Sequence, residues 1–410
     1  MKQRLLFLWS LLTVLTISSC SDRKNDQELP DNGVKGEFTV SFAFEGTAGT
    51  KAPAKSTAIP ETSWSKIKQM QILIYNAAKK VIFSDVFVPG SPGAVLTKTY
   101  TSIPVGNNYT VAVVANAKQS TENVQTFLQG IAGSVEWGNF NVRQKDAGQM
   151  LIKHKPGTFP SFVSLPGKTA YKEPAEIFMG YATGVNISAG NTATAGPIAL
   201  KREVSLMRVR VNVTDSDPGV NNGSTGSDGI DFTNDASILV YRLPNEMKIL
   251  AGNDGGIGAA STATNILSVY EGTVFNTQDP TQGYNPKKII EGNFKMWKDI
   301  VVFPNDQRST ASAAGNANAD RQYFIVISGK GKVGHVLADG TKLTSPKTVY
   351  WSGTIREKFI PNQIREVNLT LRTGGTTTIP EQPTVEGGLT IKVSTPTAWD
   401  SNIVQSNEIL

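Results

Sequence analysis

The chain has 410 residues, 18% of them charged, with a formal net charge of +6 and a single cysteine. One cysteine excludes a fold held by disulfides, so stability is expected to come from hydrophobic cores. Lysines and arginines are scattered, with no basic helix and no aromatic motif of RNA-binding proteins, which argues against a nucleic-acid partner.

The first 20 residues have the pattern of an export signal. A basic start is followed by an apolar run from Leu5 to Ile17, and small residues precede Cys20. The run is too short for a comfortable membrane span, which favours a signal peptide over a transmembrane helix. The sequence Ile17-Ser18-Ser19-Cys20 resembles the lipobox of bacterial lipoproteins, and this resemblance implies lipidation of Cys20. The alternative is an ordinary signal peptide with an incidental cysteine.

Residues 21–36 are polar, of mixed charge and without apolar period, and they are expected to form a flexible tether. The segment that follows begins with a strand, because apolar and polar residues alternate with period two and predict one buried face. The apolar positions are Phe38, Val40, Phe42 and Phe44. A loop-like stretch comes directly after this strand, and it carries Lys51 and Lys55.

The rest of the chain is predicted to be mostly short strands. These fall at 67–88 (a hairpin), 108–117, 177–188, 196–215, 236–244, 299–305, 321–333, 347–355, 365–372 and 389–393. In 196–215, Arg208, Arg210 and Asn212 alternate with valines, as on a half-solvated sheet. Segment 121–133 differs, because its apolar residues have helical spacing and predict a short amphipathic helix. Those residues are Val124, Phe127, Leu128 and Ile131.

Many short strands separated by turn signals favour β-sandwich domains. We expect a first domain at 37–203, within which 37–51 is the first strand and its loop, and a second at 204–373. Residues 374–410 are expected to form a linker and tail. The Gly/Thr/Pro-rich stretch over 373–388, which starts at the last residue of the second domain, leads to the strand 389–393.

The sequence offers little for catalysis or metal binding. His154 and His335 are far apart, have no cysteine or acidic neighbour at ligand spacing, and are expected to be solvent-exposed. No nucleophile, zinc-protease or phosphate-loop motif is present. The aspartates at 215–231 are attributed to turns rather than to calcium, and the tryptophans to packing rather than to a glycan platform. We therefore expect no enzyme activity, cofactor or metal.

The order of signal, tether, lysine-flanked strand, strand-rich domains, linker and terminal strand resembles the type V pilins of Bacteroidales, the fimbrillin family. Local stretches carry the same resemblance: "KIKQMQILIYN" (66–76), "IFMGYATGVNI" (177–187), "GPIALKREVSLMRVRVNV" (196–213) and "FIPNQIREVNLTLR" (359–372). The resemblance implies a mainly β fold of two tandem, transthyretin-like β-sandwich domains, with the predicted short helix in the first.

The resemblance also implies a mechanism of assembly. Type V pilins are exported as lipoproteins, a protease removes the first strand, and the C-terminal strand of the next subunit fills the groove that is left. Here the removed strand would carry Phe38, Val40, Phe42 and Phe44, and the donated strand would carry Leu389, Ile391 and Val393. The implied partners are copies of the chain or related fimbrial subunits, the outer membrane through the lipid on Cys20, and the processing protease. The implied location is the cell surface, in a fimbrium.

One departure from the family concerns the cleavage site, since the loop offers Lys51 and Lys55 where the best-known members have an arginine. Cleavage after Lys51 is favoured, with Lys55 second; the alternative is that both lysines only make the loop soluble. If neither is cut, the chain would be an unprocessed anchor subunit. A competing hypothesis is a surface carbohydrate-binding lipoprotein, which predicts an exposed aromatic patch and a tail packed on its own fold. The fimbrial hypothesis predicts a detachable first strand and a loose tail.

Overall fold

The structure is a computed structural model. It describes residues 33–44, 67–90, 95–116, 126–129, 151–212, 229–244, 246–248, 264–272, 274–276, 294–305, 323–380, 388–394 and 397–399. Every regular element within these ranges is a strand, which confirms the prediction of a mainly β protein.

In chain order the strands are β1 (Lys35–Phe44), β2 (Met70–Tyr75), β3 (Val81–Phe87), β4 (Leu96–Pro104), β5 (Gly106–Ala115), β6 (Thr126–Gln129), β7 (Leu151–His154), β8 (Thr169–Tyr171), β9 (Phe178–Ile187), β10 (Thr192–Arg202), β11 (Ser205–Asn212), β12 (Ile230–Asp231), β13 (Ser237–Tyr241), β14 (Glu246–Lys248), β15 (Asn265–Val269), β16 (Phe294–Val302), β17 (Tyr323–Gly331), β18 (Lys347–Ile355), β19 (Gln363–Leu371), β20 (Leu389–Val393) and β21 (Thr397–Ala398).

The first sheet has seven strands in the order β3-β2-β5-β9-β10-β1-β4. Strand β10 belongs to both halves of it, because residues 192–200 pair with β1 while Lys201 and Arg202 pair with β9. The two end strands, β3 and β4, contact each other through side chains, so the sheet curls around one core. That core contains buried residues from β1, β2, β5, β9 and β10, which means that strands from both ends of the order face the same interior.

Two further sheets enclose the largest core. One has the order β16-β11-β19-β20, with β21 also paired to β19; the other has the order β12-β17-β13-β15-β8, with β18 also paired to β17. Alternate residues of β11 and β19, which run parallel, face this core together with Trp351 of β18. A three-stranded sheet, β14-β7-β6, completes the described strands.

A separate cluster connects the first sheet with the sheet of β11 and β19. It joins Leu73 and Val114, from the outer face of the first sheet, to Leu206, Phe303 and Ile364. Residues on both sides of the expected domain boundary at 203/204 therefore share a buried apolar region. The division into two β-sandwich domains stays a prediction.

The short helix predicted over 121–133 is wrong where the structure describes that segment, because Thr126–Gln129 is strand β6, paired antiparallel with β7. Residues 121–125 and 130–133 lie outside the described ranges. Of the residues with the predicted i, i+3, i+4, i+7 spacing, only Phe127 and Leu128 lie in β6; so short an apolar run fits either structure, and the pairing with β7 decides between them.

The prediction that β11 is half-solvated is also wrong. Arg208 and Arg210 are buried, and each has a carboxylate partner: Arg208 Nε donates to Asp299 Oδ1 at 2.7 Å, and Arg210 Nη1 to Glu366 Oε2 at 3.0 Å. Buried guanidinium groups require such partners, since an unpaired buried charge is strongly destabilising.

Both histidines are buried, contrary to the prediction of solvent exposure. The His154 ring lies 4.2 Å from the Phe303 ring centroid, and its Nδ1 is 3.0 Å from the Lys172 carbonyl. Burial lowers the pKa of His154 to about 4, because the charged form is poorly solvated there. The Nε2 of His335 donates to the Gly374 carbonyl at 2.7 Å, so this histidine is a structural one.

The predicted linker over 373–388 is anchored in its first part. The amide of Thr376 donates to the Tyr350 carbonyl at 3.0 Å, and the Trp351 indole N–H donates to the Thr373 carbonyl at 2.8 Å. The tryptophans described by the structure, Trp297, Trp351 and Trp399, are all buried, as the packing interpretation predicted. Trp64 and Trp137 lie outside the described ranges.

Candidate strand-exchange site

Strand β1 lies in the interior of the first sheet. It pairs in parallel with β10, from Glu37 opposite Thr192 to Phe44 opposite Leu200, and antiparallel with β4, from Lys35 opposite Pro104 to Phe42 opposite Leu96. Both backbone edges of β1 are thus hydrogen-bonded. Its removal would leave a gap with unpaired N–H and C=O groups on two sides, which is the kind of edge that another strand pairs with.

The four predicted core residues of β1 all point into the first sheet's core. Phe38, Val40 and Phe42 are fully buried, and Phe44 is 5% exposed and makes an edge-to-face contact with Phe178 at 5.4 Å between ring centroids. The intervening residues are partly or fully exposed. The alternating sequence therefore forms one continuous apolar face, and its removal would open a groove with pockets at alternate positions.

The backbone of β10 is shaped to fit β1 closely. Where the ladder between them shifts register, after Val40, Gly196 has a φ of +107° and lies against the Ser41 carbonyl. A Cβ at this position would collide with that backbone oxygen, and the φ is one that residues with a side chain rarely adopt. Glycine is therefore required at this point of the groove wall.

The predicted donor residues also share one face. Leu389, Ile391 and Val393 of β20 are half-buried against the largest core, while Thr390 and Lys392 are exposed. Among the described residues β20 has one ladder partner, the antiparallel β19, so it lies at the edge of its sheet. It contacts β18 at Gly353, which has no side chain; a Cβ there would lie 2.7 Å from Ile391 Cδ1.

The tail is more tightly held than expected. The described residues of its last part, 388–394 and 397–399, pack on β19, so the expectation of a loose tail is wrong for them. A tail packed on its own fold is what the carbohydrate-binding hypothesis predicted. The aromatic patch that the same hypothesis requires is not found in the described ranges, where the exposed large hydrophobic side chains are Val34, Val88, Val95 and Val333.

Trp399 is the anchor at the end of the described tail. Its amide donates to the Asn362 carbonyl at 2.8 Å, and its ring lies 4.1 Å from the guanidinium carbon of Arg202. Arg202 is itself buried, with Nη1 donating to Asn362 Oδ1 at 2.9 Å and with Glu176 as ion-pair partner. The sequence indicated Trp399 only as a packing residue, and its contact with Arg202 was not predicted, since no local pattern connects residues so far apart.

Glu173 places a partly buried carboxyl group near β16. Its Oε1 accepts the Val301 amide at 2.7 Å. Burial raises the pKa of Glu173 to about 7, although the Val301 hydrogen bond and nearby Lys298 act in the opposite direction. The Glu173 carboxyl group therefore ionises at a higher pH than an exposed glutamate does.

Three predicted site residues, Cys20, Lys51 and Lys55, lie outside the described residues. Within the described ranges no group of three or more histidine, cysteine or acidic side chains is placed to hold a metal ion. The same part of the chain contains no helix long and apolar enough to cross a membrane.

The model of the family described as fimbrillin-A associated anchor proteins Mfa1 and Mfa2 matches residues 28–309. The chain belongs to this fimbrillin-associated family. The family match confirms the resemblance to fimbrillins found in the sequence. It covers the whole of β1 to β16, and so includes the first strand and its groove.

Solved structures from fimbrial proteins resemble the chain along most of its length. A fimbrilin (fimA) from Porphyromonas gingivalis is 16% identical and covers 89% of this chain and 98% of its own, with a TM-score of 0.42. The C-terminally truncated tip fimbrial protein Mfa3 from the same species is 9% identical. It covers 89% of this chain and 100% of its own, with a TM-score of 0.37. A fimbrial assembly protein from Parabacteroides distasonis is 11% identical. It covers 82% of this chain and 92% of its own, with a TM-score of 0.38. Comparison with curated proteins found no match.

Membership of the fimbrillin-associated family makes the chain a fimbrial or adhesin-like protein. Strands β20 and β21 lie beyond the matched range, so the family match bears on the groove and not on the tail.

Proposed function

We propose that the chain is a structural subunit of a cell-surface fimbria that polymerises by strand exchange. In this proposal β1 is removed by proteolysis, and β20 of a neighbouring subunit takes its place. The observation that carries the proposal is the contrast between the two strands. β1 is an interior strand whose apolar face is buried, whereas β20 is an edge strand with the same alternation and a half-buried face.

This contrast gives the exchange a driving force. A strand entering the gap of β1 gains backbone hydrogen bonds on two edges instead of one, and its alternate side chains enter closed pockets. Full burial of a large apolar side chain is worth roughly 1.5–3 kcal/mol. The three apolar side chains of β20 are only half-buried in their own subunit, so transfer to a neighbouring subunit increases their burial. They are Leu389, Ile391 and Val393.

Export and processing form the second part of the proposal. The chain is exported as a lipoprotein with its lipid on Cys20 at the outer membrane, and a protease cuts the loop after Lys51, or otherwise after Lys55. The two-domain organisation, with β-sandwiches at 37–203 and 204–373, belongs to the same proposal. Partners are further copies of the chain or related fimbrial subunits.

A second candidate function is that of an unprocessed anchor, in which β1 stays in place and the lipid on Cys20 fixes the fimbria to the outer membrane. The family name favours it, since it refers to anchor proteins. The two candidates share a fold and differ in the fate of the loop that carries Lys51 and Lys55.

The test is digestion of the chain with a lysine-specific protease, followed by mass measurement and electron microscopy. Release of the segment that contains β1, followed by filament growth, is expected. The Lys51→Gln/Lys55→Gln variant should not be cut at these two positions and should remain monomeric. A protein that is cut and trimmed yet stays a stable monomer would contradict strand exchange. A chain whose loop resists the protease, so that β1 stays in place, would favour the anchor function.

The donor strand is tested separately. Leu389→Asp/Ile391→Asp places charges on the apolar face of β20 and should abolish filaments. Thr390→Asp/Lys392→Asp changes the exposed face of the same strand and serves as the matched control, with filaments expected. Filaments from both variants would exclude these residues as the donor.

A further inference from the structure

Strand β4 depends on β1 for its place in the sheet. Among the described strands it pairs with β1 and with no other, and it ends the order of the first sheet. Its C-terminal end is fixed by the chain, since a single residue, Val105, separates it from β5. Its N-terminal half, Leu96–Tyr100, has no such covalent support, so departure of β1 would remove the backbone ladder that holds it.

A group of side chains connects this half of β4 to β3 without involving β1. The Asp85 carboxylate accepts from Lys98 Nζ at 2.7 Å and from the Tyr100 hydroxyl at 2.9 Å, both through Oδ2. Lys98 Nζ also lies 3.7 Å from the Phe87 ring centroid, and the Phe83 and Tyr100 rings meet edge-to-face at 4.9 Å. We refer to these five residues, Phe83, Asp85, Phe87, Lys98 and Tyr100, as the β3–β4 clasp.

The clasp lies on the groove side of both strands. Lys98 is the ladder partner of Val40, and Tyr100 is that of Phe38, so their side chains share the inward face of β1. On β3, Asp85 is the partner of Ile72, whose side chain is part of the same core. Burial and the adjacent Asp85 carboxylate raise the pKa of Tyr100, which keeps its hydroxyl protonated as a donor.

From this arrangement we infer that the β3–β4 clasp holds β4 in place once β1 has gone, so that the incoming strand meets a preformed groove. The inference rests on the proposed strand exchange and assigns Asp85 as a positioning residue for it. Two ordered edges lower the entropy that must be lost when a strand enters, which is the general benefit of preorganisation. Without the clasp the incoming strand would find one ordered edge, on β10, and a free β4.

Lys98 itself provides the reporter for a test. A protease cleaves a peptide bond that lies in an opened segment far faster than one held in a sheet. The chain with Leu389→Asp/Ile391→Asp, which cannot donate its own strand, is treated with a lysine-specific protease. Mass spectrometry then follows the loop cut and the Lys98–Thr99 bond. After the loop cut, this parent should keep the bond intact, and adding Asp85→Ala should speed its cleavage at least ~10-fold.

Three controls separate the clasp from simpler effects. Tyr100→Phe keeps the Lys98–Asp85 ion pair and removes one hydrogen bond. It should therefore increase the cleavage rate of the Lys98–Thr99 bond less than Asp85→Ala does. Glu271→Ala breaks the ion pair with Lys172, which is also partly exposed, and should behave like the parent. In the Lys51→Gln/Lys55→Gln background, Asp85→Ala should leave the bond protected, because β1 still pairs with β4.

Equal cleavage of the Lys98–Thr99 bond in the parent and in Asp85→Ala after the loop cut would overturn the inference. Strand uptake is measured in the same samples after the protease is inhibited, with the synthetic peptide GGLTIKVST (387–395). If the peptide does not bind but cleavage of the Lys98–Thr99 bond is still faster in Asp85→Ala, the inference on the clasp is supported and strand exchange is contradicted. If the peptide binds while Asp85→Ala leaves the cleavage rate of the Lys98–Thr99 bond unchanged, strand exchange is supported and the inference on the clasp is contradicted.

Discussion

The ring of Trp399 lies 4.1 Å from the guanidinium carbon of Arg202, and this contact joins the end of the described tail to the strand that forms one wall of the groove. Arg202 is the last residue of β10 and pairs there with Phe178 of β9. The tail of the free subunit is therefore tied to the first sheet as well as to β19.

Trp399→Ala is expected to lower the free energy of unfolding by about 3–5 kcal/mol, because it removes a fully buried ring and leaves a cavity beside Arg202. Urea unfolding measures the loss. Trp399→Phe keeps an aromatic face toward the guanidinium and should lose clearly less. Equal stability of Trp399→Ala and the unchanged chain would show that the tail contributes nothing to the free subunit.

Phe42→Ala should destabilise the uncut chain by about 3–5 kcal/mol, since the side chain is fully buried in the first sheet's core. Glu37→Gln, on the exposed face of the same strand, is the control and should stay within about 0.5 kcal/mol of the unchanged chain. Thermal or urea unfolding distinguishes them. The prediction fails if both changes have the same effect.

Gly353→Ala is expected to loosen β20 from its own fold, because the new Cβ would lie 2.7 Å from Ile391 Cδ1. The side-chain tip can shift, so the cost should be modest, about 1 kcal/mol. Amide hydrogen exchange of Leu389–Val393 should become faster. Adding Ile391→Val removes the clashing methyl and should restore slow exchange; unchanged exchange in both variants would show that β18 does not restrain β20.

Glu173 makes stability depend on pH in a defined direction. Its folded pKa of about 7 lies above the unfolded value, so between about pH 4.5 and 7 the unfolded state binds fewer protons than the folded state. The stabilisation of the folded state by Glu173 is complete below about pH 4.5 and is lost as the pH rises through 7. Glu173→Gln should remove this loss, so the stability difference between the variant and the unchanged chain should grow across that window.

The comparison with the unchanged chain is necessary because His154 acts in the opposite direction. Its folded pKa of about 4 lies below the unfolded value, so its contribution is present above about pH 6.5 and falls as the pH drops toward 4. The difference between the two chains cancels this term. A difference that is constant between pH 4.5 and 7 would contradict the assignment of a raised pKa to Glu173.

The sequence allowed the apolar face of β1 to be predicted because alternation is a local property of the chain. The partners of that strand were not predictable in this way, since β10 and β4 are set by contacts far along the chain. The same reason explains Arg208 and Arg210, whose alternation with valines suggested solvent. Their carboxylate partners, Asp299 and Glu366, come from β16 and β19.

Local sequence patterns gave wrong predictions where only a few residues indicated the type of secondary structure. Only Phe127 and Leu128, of the four apolar residues with helical spacing, lie in β6, and the ladder to β7 selects the strand. The Gly/Thr-rich composition around Thr373 suggested a free linker, whereas hydrogen bonds to Tyr350 and Trp351 fix this stretch.

The position of β20 has a consequence for symmetry. It lies in the sheet of β11, β16 and β19, whereas β1 lies in the sheet of β3, β2, β5, β9, β10 and β4. A contact between β20 of one copy and the vacated place of β1 in the next therefore joins two different surfaces, a head-to-tail contact rather than a two-fold one. Contacts of this kind build open chains unless their rotation happens to close a ring.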